Sequence, residues 1–107
     1  MGKRLGALAL GILFMTGLPA TEYIQISPAR QAELRNLLAQ DCGSCHGLRL
    51  RGGLGPPLRG AALAGKPASY LAATILFGRP GTAMPPWQPF LTEEEAVWLA
   101  NLLLEQP

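Results

Sequence analysis

The sequence predicts an all-α protein, with three main helices joined by long irregular loops. Three observations carry that reading. Three segments show helical apolar spacing with start and stop signals at their ends. The segments between them are too rich in Gly and Pro for regular structure. No segment alternates apolar and polar residues as a half-buried strand would. At 107 residues the chain has room for one domain.

Residues 1–20, "MGKRLGALALGILFMTGLPA", stand apart from that domain. Lys3 and Arg4 form a basic start, an apolar run of about fourteen residues follows, and Ala20 is small enough for a cleavage position. The run falls short of the roughly 20 residues that span a membrane. The expectation is a signal peptide over residues 1–20, cut after Ala20, leaving an exported domain over residues 21–107. A retained anchor is the alternative, and an uncleaved leader would be the only attachment to a membrane.

Without Lys3 and Arg4 the nine Lys and Arg become seven, equal to the seven Asp and Glu. The mature domain is therefore formally neutral, and nucleic acid is not an expected partner. The charges are segregated nonetheless. Arg49, Arg51, Arg59, Lys66 and Arg79 occupy a stretch without an acid, while Glu93, Glu94 and Glu95 cluster near the end. A solvated face and a surface that steers a partner both remain open. A domain this small buries a modest core and often relies on a staple. A disulfide between Cys42 and Cys45 would close too small a loop to stabilise much, so the staple must be something else.

Each element has its own signals. In "SPARQAELRNLLAQDC", Ser27 caps, Pro28 suits the first helical position, and Ala32, Leu34, Leu37 and Leu38 give the apolar stripe. That helix runs directly into the cysteines. The following "GLRLRGGLGPPLRGAALAGK" is irregular, with one helical turn near residues 61–63. Its leucines (Leu48, Leu50, Leu54, Leu58, Leu63) need an apolar surface to cover. "KPASYLAATILFG" is the second helix, opened by Pro67, ended by Gly78, with Tyr70, Leu71, Thr74 and Ile75 at helical spacing. Four prolines in "RPGTAMPPWQPF" exclude helix and strand. "LTEEEAVWLANLLLEQ" is the third helix: Thr92 and Glu95 make a capping box, and Val97, Trp98, Ala100, Leu102 and Leu103 supply the buried side. Tyr70 and Trp98 are expected in the core.

The chemistry concentrates in "QDCGSCHGL", which holds both cysteines, Cys42 and Cys45, and the one histidine, His46. A structural zinc site wants four ligands in a tetrahedron, more than this set offers. A thioredoxin-like redox pair belongs at a helix start after a strand, whereas this motif follows a helix. C-x-x-C-H is the attachment sequence for c-type haem: the thiols add to the porphyrin vinyl groups and the histidine becomes the proximal iron ligand. Once the leader is gone, Met84 is the single methionine. An isolated methionine is often core filler. One set in a proline-rich loop suits a second axial ligand, which would favour ferrous iron and raise the potential. A metal-bound imidazole also needs an acceptor for its other ring proton. The carbonyls of "GPPL" offer one, and Leu58 would pack on the ring. Trp87 suits haem shielding, a propionate contact or plain packing. With both axial positions filled, the expected function is one-electron carriage. A haem protein with a labile Met84, active in peroxidase-like chemistry or in maturing another enzyme's cofactor, is the rival.

In these residues the chain resembles a class I cytochrome c. The family's CxxCH, G-P-x-L loop, aromatic-Leu pair and Met-Pro are matched by Cys42, Cys45 and His46, by Gly55, Pro56 and Leu58, by Tyr70 and Leu71, and by Met84 and Pro85. The resemblance implies the cytochrome c fold: three main helices and irregular loops wrapped around one covalently attached haem c, with crossed terminal helices. It implies that the Pro56 carbonyl accepts from His46. "CGSCHG", "GPPL" and "AMPPW" are similar to small periplasmic monohaem cytochromes that accompany the haem c/haem d nitrite reductase of denitrifying bacteria. The partners so implied are redox proteins, a periplasmic nitrite reductase and a membrane electron donor. One position departs from the family. Leu34 stands where the first helix often has Gly, so its contact with Trp98 should be wider or differently packed.

Overall fold

Helix α1, Pro28–Leu37, begins where the sequence signals it: Pro28 occupies the first turn and the Ser27 hydroxyl accepts from the Arg30 N–H at 3.2 Å. These features belong to a computed structural model that describes residues 2–4, 6–14, 16–17 and 25–107. The expected cut after Ala20 lies outside the described residues. Among those described, no residue is in a strand and no helix is long and apolar enough to cross a membrane.

The chain continues from α1 without a break through a π-helical turn, Leu38–Cys42, in which the Gly43 N–H reaches back five residues to the Leu38 carbonyl. Helix α2, Gly43–His46, completes the run and carries the second cysteine and the histidine. Helix α3 is the short turn Gly60–Leu63. Helix α4, Ala68–Phe77, is capped by Pro67 and ends at Gly78. Helix α5, Glu93–Leu104, opens on the full capping box, with Thr92 Oγ1 accepting from the Glu95 N–H and the Glu95 carboxylate accepting from the Thr92 N–H, each at 3.2 Å.

α4 and α3 pack against α5, and one apolar cluster runs through the molecule. Its face on α5 is Ala96, Leu99, Ala100 and Leu103, the spacing that keeps four side chains on one side of a helix. This corrects the expected burial of Val97, which is 39% exposed, because it stands one residue off that stripe. Ala32 is exposed on α1 and Tyr70 is 48% exposed on α4 for a related reason. Each lies two residues from the buried Leu34 or Ala72, about 200° around the helix. Leu48 and Leu54 also stay exposed, while Leu50 and Leu58 pack on the cluster and Leu63 is buried within it.

The two long terminal helices are tied by Arg30 and Arg35. The Arg30 guanidinium grips Glu95 in a two-pronged bridge, Nε to Oε1 at 2.8 Å and Nη2 to Oε2 at 3.0 Å, and also donates to the Phe90 carbonyl. Arg30 holds the Glu95 carboxyl below the usual carboxylate range, helped by the Thr92 N–H and opposed by desolvation. Trp98 lies under the Arg35 guanidinium, 5.2 Å from its ring centroid. Leu34, Ala96 and Ala100 are all fully buried in the shared cluster.

Candidate functional site

The histidine segment is built outward from α2. After His46 the chain turns back on itself: Leu50 N–H donates to the Gly47 carbonyl, Gly52 N–H to that of His46, and Gly55 N–H to that of Cys45, all at 2.8 Å. This return brings the Pro56 carbonyl to 2.7 Å from His46 Nδ1. A proline carbonyl only accepts, so Nδ1 carries the proton and Nε2 keeps its lone pair for a metal. Gly55 makes the approach feasible. A Cβ there would stand 2.6 Å from His46 Cε1 and 2.7 Å from Nδ1, so the imidazole packs directly on bare backbone. His46 is 9% exposed.

Cys42 and Cys45 lie half-buried, one at the end of the π-helical turn and the other on α2. Burial, with Asp41 adding to it, pushes the Cys42 thiol up to about 11. A redox-active CxxC pair depends on a lowered thiol, so the local electrostatics disfavour that chemistry.

The methionine segment grows from the other end of α4. A helix leaves its last carbonyls without intrahelical partners, and here the loop supplies them. Gly78 N–H donates to the Thr74 carbonyl at 2.9 Å, Trp87 N–H to that of Ile75 at 3.1 Å, and Gln88 N–H to that of Leu76 at 3.0 Å. Within the loop, Pro80 and Gly81 (φ +79°) form a turn closed from Thr82 N–H to the Arg79 carbonyl. Met84 is partly buried beyond it, followed by Pro85 and Pro86.

Both segments face one cavity of about 690 Å³. Cys42, Cys45, His46, Pro56, Leu58 and Met84 all line it, and so does Trp87, whose ring is 5.8 Å from that of Phe90. Leu71, Ile75, Leu99 and Leu103 give it an apolar interior, and Leu54 reaches it from the exposed surface. Of the five cations in the acid-free stretch, Lys66 and Arg79 line the cavity. The sequence marks Gly78 only as a helix stop and gives no signal at Thr82. The one hint was the Gly directly after an apolar helical run, which marks a position where backbone must pass closely.

The family described as "Cytochrome C oxidase, cbb3-type, subunit III" matches residues 29–103. The chain is a c-type cytochrome of this family. It is 55% identical over 98 residues to cytochrome c55X of Pseudomonas aeruginosa, covering 92% of this chain and 82% of that protein. To cytochrome c55X of Paracoccus denitrificans it is 61% identical over 77 residues, 72% of this chain and 75% of the relative. Among solved structures, the c-type cytochrome NirC superposes with a TM-score of 0.74 at 56% identity, over 77% of this chain and all of that one. Dihydro-heme d1 dehydrogenase NirN in complex with DHE superposes with a TM-score of 0.62 at 33% identity, over 68% of this chain but 16% of NirN. The all-α architecture is thus the cytochrome c fold. The cofactor is one covalently attached haem c, and the protein is an electron-transport cytochrome. The residues present fit that group: a roomy apolar cavity, two thiols at the spacing of its attachment sequence, and an imidazole with Nε2 free.

Proposed function

We propose that this cytochrome is a periplasmic one-electron carrier in which Cys42 and Cys45 form the thioether bonds and His46 and Met84 are the axial iron ligands. Pro56 and Leu58 belong to the haem pocket. The observation that supports this best is the convergence of these six residues, from two separate segments, on one cavity. When bound, haem c supplies a ferrous–ferric couple. Pro56 fixes the imidazole tautomer and its orientation. Met84 offers a soft thioether, which favours the reduced state. With both ligands contributed by the chain, no position is left for a substrate at the metal, which suits a carrier rather than an enzyme. In the ferric protein, the near-infrared charge-transfer band of sulfur bonded to iron should be present at neutral pH. Its absence would remove Met84 from the ligand set.

Residues 1–20 are read as the signal that exports the domain, and residues 21–107 as the mature protein. The partner side is argued from charge. Lys66 and Arg79 at the cavity, with exposed Arg49 and Arg51 nearby in sequence, suit an acidic redox partner. Electron transfer to such a partner should slow as salt is added, and a rate indifferent to ionic strength would discard the steering. Similarity to NirC and NirN favours the nitrite reductase system; the carrier reading adds a membrane electron donor upstream. Stopped-flow mixing of the reduced protein with a haem c/haem d nitrite reductase tests this.

A second reading rests on NirN, a dehydrogenase of dihydro-heme d1, part of whose length is similar to this chain. On that reading the cytochrome serves maturation of a nitrite reductase cofactor, or peroxidase-like chemistry, through a labile Met84. Rapid peroxide-dependent oxidation of a phenolic dye by the purified protein would favour it over the carrier.

A further inference from the structure

We infer that Gly78 and Thr82 are positioning residues for Met84, forming a clasp that keeps its sulfur in place; this rests on the reading of Met84 as an axial ligand. A thioether is a weak hydrogen-bond acceptor, so a side-chain hydrogen bond orients it less firmly than Pro56 orients His46. The backbone beside it carries more of that task. Both backbone groups of Met84 are held inside the loop: its N–H donates to Thr82 Oγ1 at 3.3 Å, and its carbonyl accepts from the Arg79 N–H at 3.2 Å. The Thr82 hydroxyl in turn donates to the Arg79 carbonyl at 2.7 Å. One hydroxyl thus links the start of the loop to the residue that carries the sulfur.

Gly78 lets this loop close on α4. Its backbone sits at φ +66°, ψ −167°, which only glycine adopts readily. A Cβ there would lie 2.7 Å from the Met84 carbonyl oxygen, 2.7 Å from the Pro85 carbonyl carbon and 2.8 Å from the Pro86 nitrogen. All three are backbone atoms, and two belong to prolines, so none swings aside as a side-chain tip would. Any larger residue at 78 must push the Met84–Pro86 backbone off the end of α4. The clasp therefore decides how easily another ligand displaces the thioether, which is the property that separates a carrier from a haem protein with an open iron.

The test is imidazole titration of the ferric holoprotein, followed by loss of the near-infrared band. Thr82→Val keeps the shape and removes both hydroxyl hydrogen bonds, so imidazole should bind about tenfold more tightly than to the wild type. Thr82→Ser, which restores the hydroxyl, should stay within about twofold. Gly78→Ala should loosen the ligand at least as far as Thr82→Val, or abolish the band in protein that still carries haem. Wild-type affinity in both Thr82→Val and Gly78→Ala, with the band intact, would overturn the clasp and leave Met84 ligation standing. A wild-type protein without the band would overturn the ligation reading, and the clasp with it.

Discussion

The histidine and methionine segments hold their side chains by different means. His46 sits on a helix, donates to a carbonyl from its own ring, and packs against the bare backbone of Gly55. Met84 sits in a loop hung from the C-terminal carbonyls of α4, and the hydrogen bonds that fix it are made by its backbone. The difference follows from the two side chains. An imidazole has a second nitrogen through which the protein can steer it, whereas a thioether has nothing comparable, so more of the steering falls to the peptide groups beside it.

The strongest way to break this comparison is to undermine what both segments share. Leu34 is fully buried in the common cluster, so Leu34→Ala should cost about 2–5 kcal/mol in denaturant unfolding. Both segments should then loosen together. Gly55→Ala sharpens the contrast by striking one side only. Its Cβ would press on the imidazole, an overpacking worth about 1–3 kcal/mol. The expected result is less haem per protein by pyridine haemochrome, and full haem content in this variant would refute the packing argument. Thr92→Ala touches neither segment. It should lower stability by about 1 kcal/mol through the lost cap while leaving the near-infrared band unchanged.

The smallest effect concerns pH. The Glu95 carboxyl titrates below its ordinary value when folded, mainly through Arg30. Its contribution is therefore complete above the unfolded value of about 4.3 and is lost as pH falls through the lowered one. Thermal melts of Glu95→Gln should run parallel to those of the wild type at neutral pH, at a lower midpoint. The gap should narrow in acid. A gap that widens in acid would reverse the assigned sign.

Much of the fold was legible because it depends on local chemistry. Ser27 with Pro28, and Thr92 with Glu95, announce helix starts that form as expected, and the helical turn near residues 61–63 is present. What failed was one position on each helix, while Leu34, Leu38, Ala100 and Leu103 are buried as expected. Val97, Ala32 and Tyr70 were assigned to buried faces that the packing partners place elsewhere. Composition within one helix does not reveal where its neighbour lies. Trp98 likewise meets Arg35, a pairing that single-helix patterns cannot supply. The chemistry-bearing residues of the cavity could be named from motif and scarcity, since residues 21–107 hold one histidine and one methionine. The backbone bonds that hang the methionine loop on α4 could not, because they join groups common to nearly every residue.

The π-helical turn, Leu38–Cys42, separates two parts of one helix that would otherwise rotate as a rod. α1 takes its orientation from the core through Leu34, and the cysteine motif takes its own from the cavity. The single wide turn between them lets each be set independently. Substitutions on the exposed face of α1 can thus accumulate without re-aiming the thiols. Deleting one residue at Ala39 or Gln40, both exposed, removes no buried side chain. A deletion that returns the turn to a regular helix takes out its extra residue and keeps the cysteine motif facing roughly as before. Regularising the turn with every residue kept would instead swing the motif by about 100°. In this chain the register between two halves of a helix rests on that one extra residue.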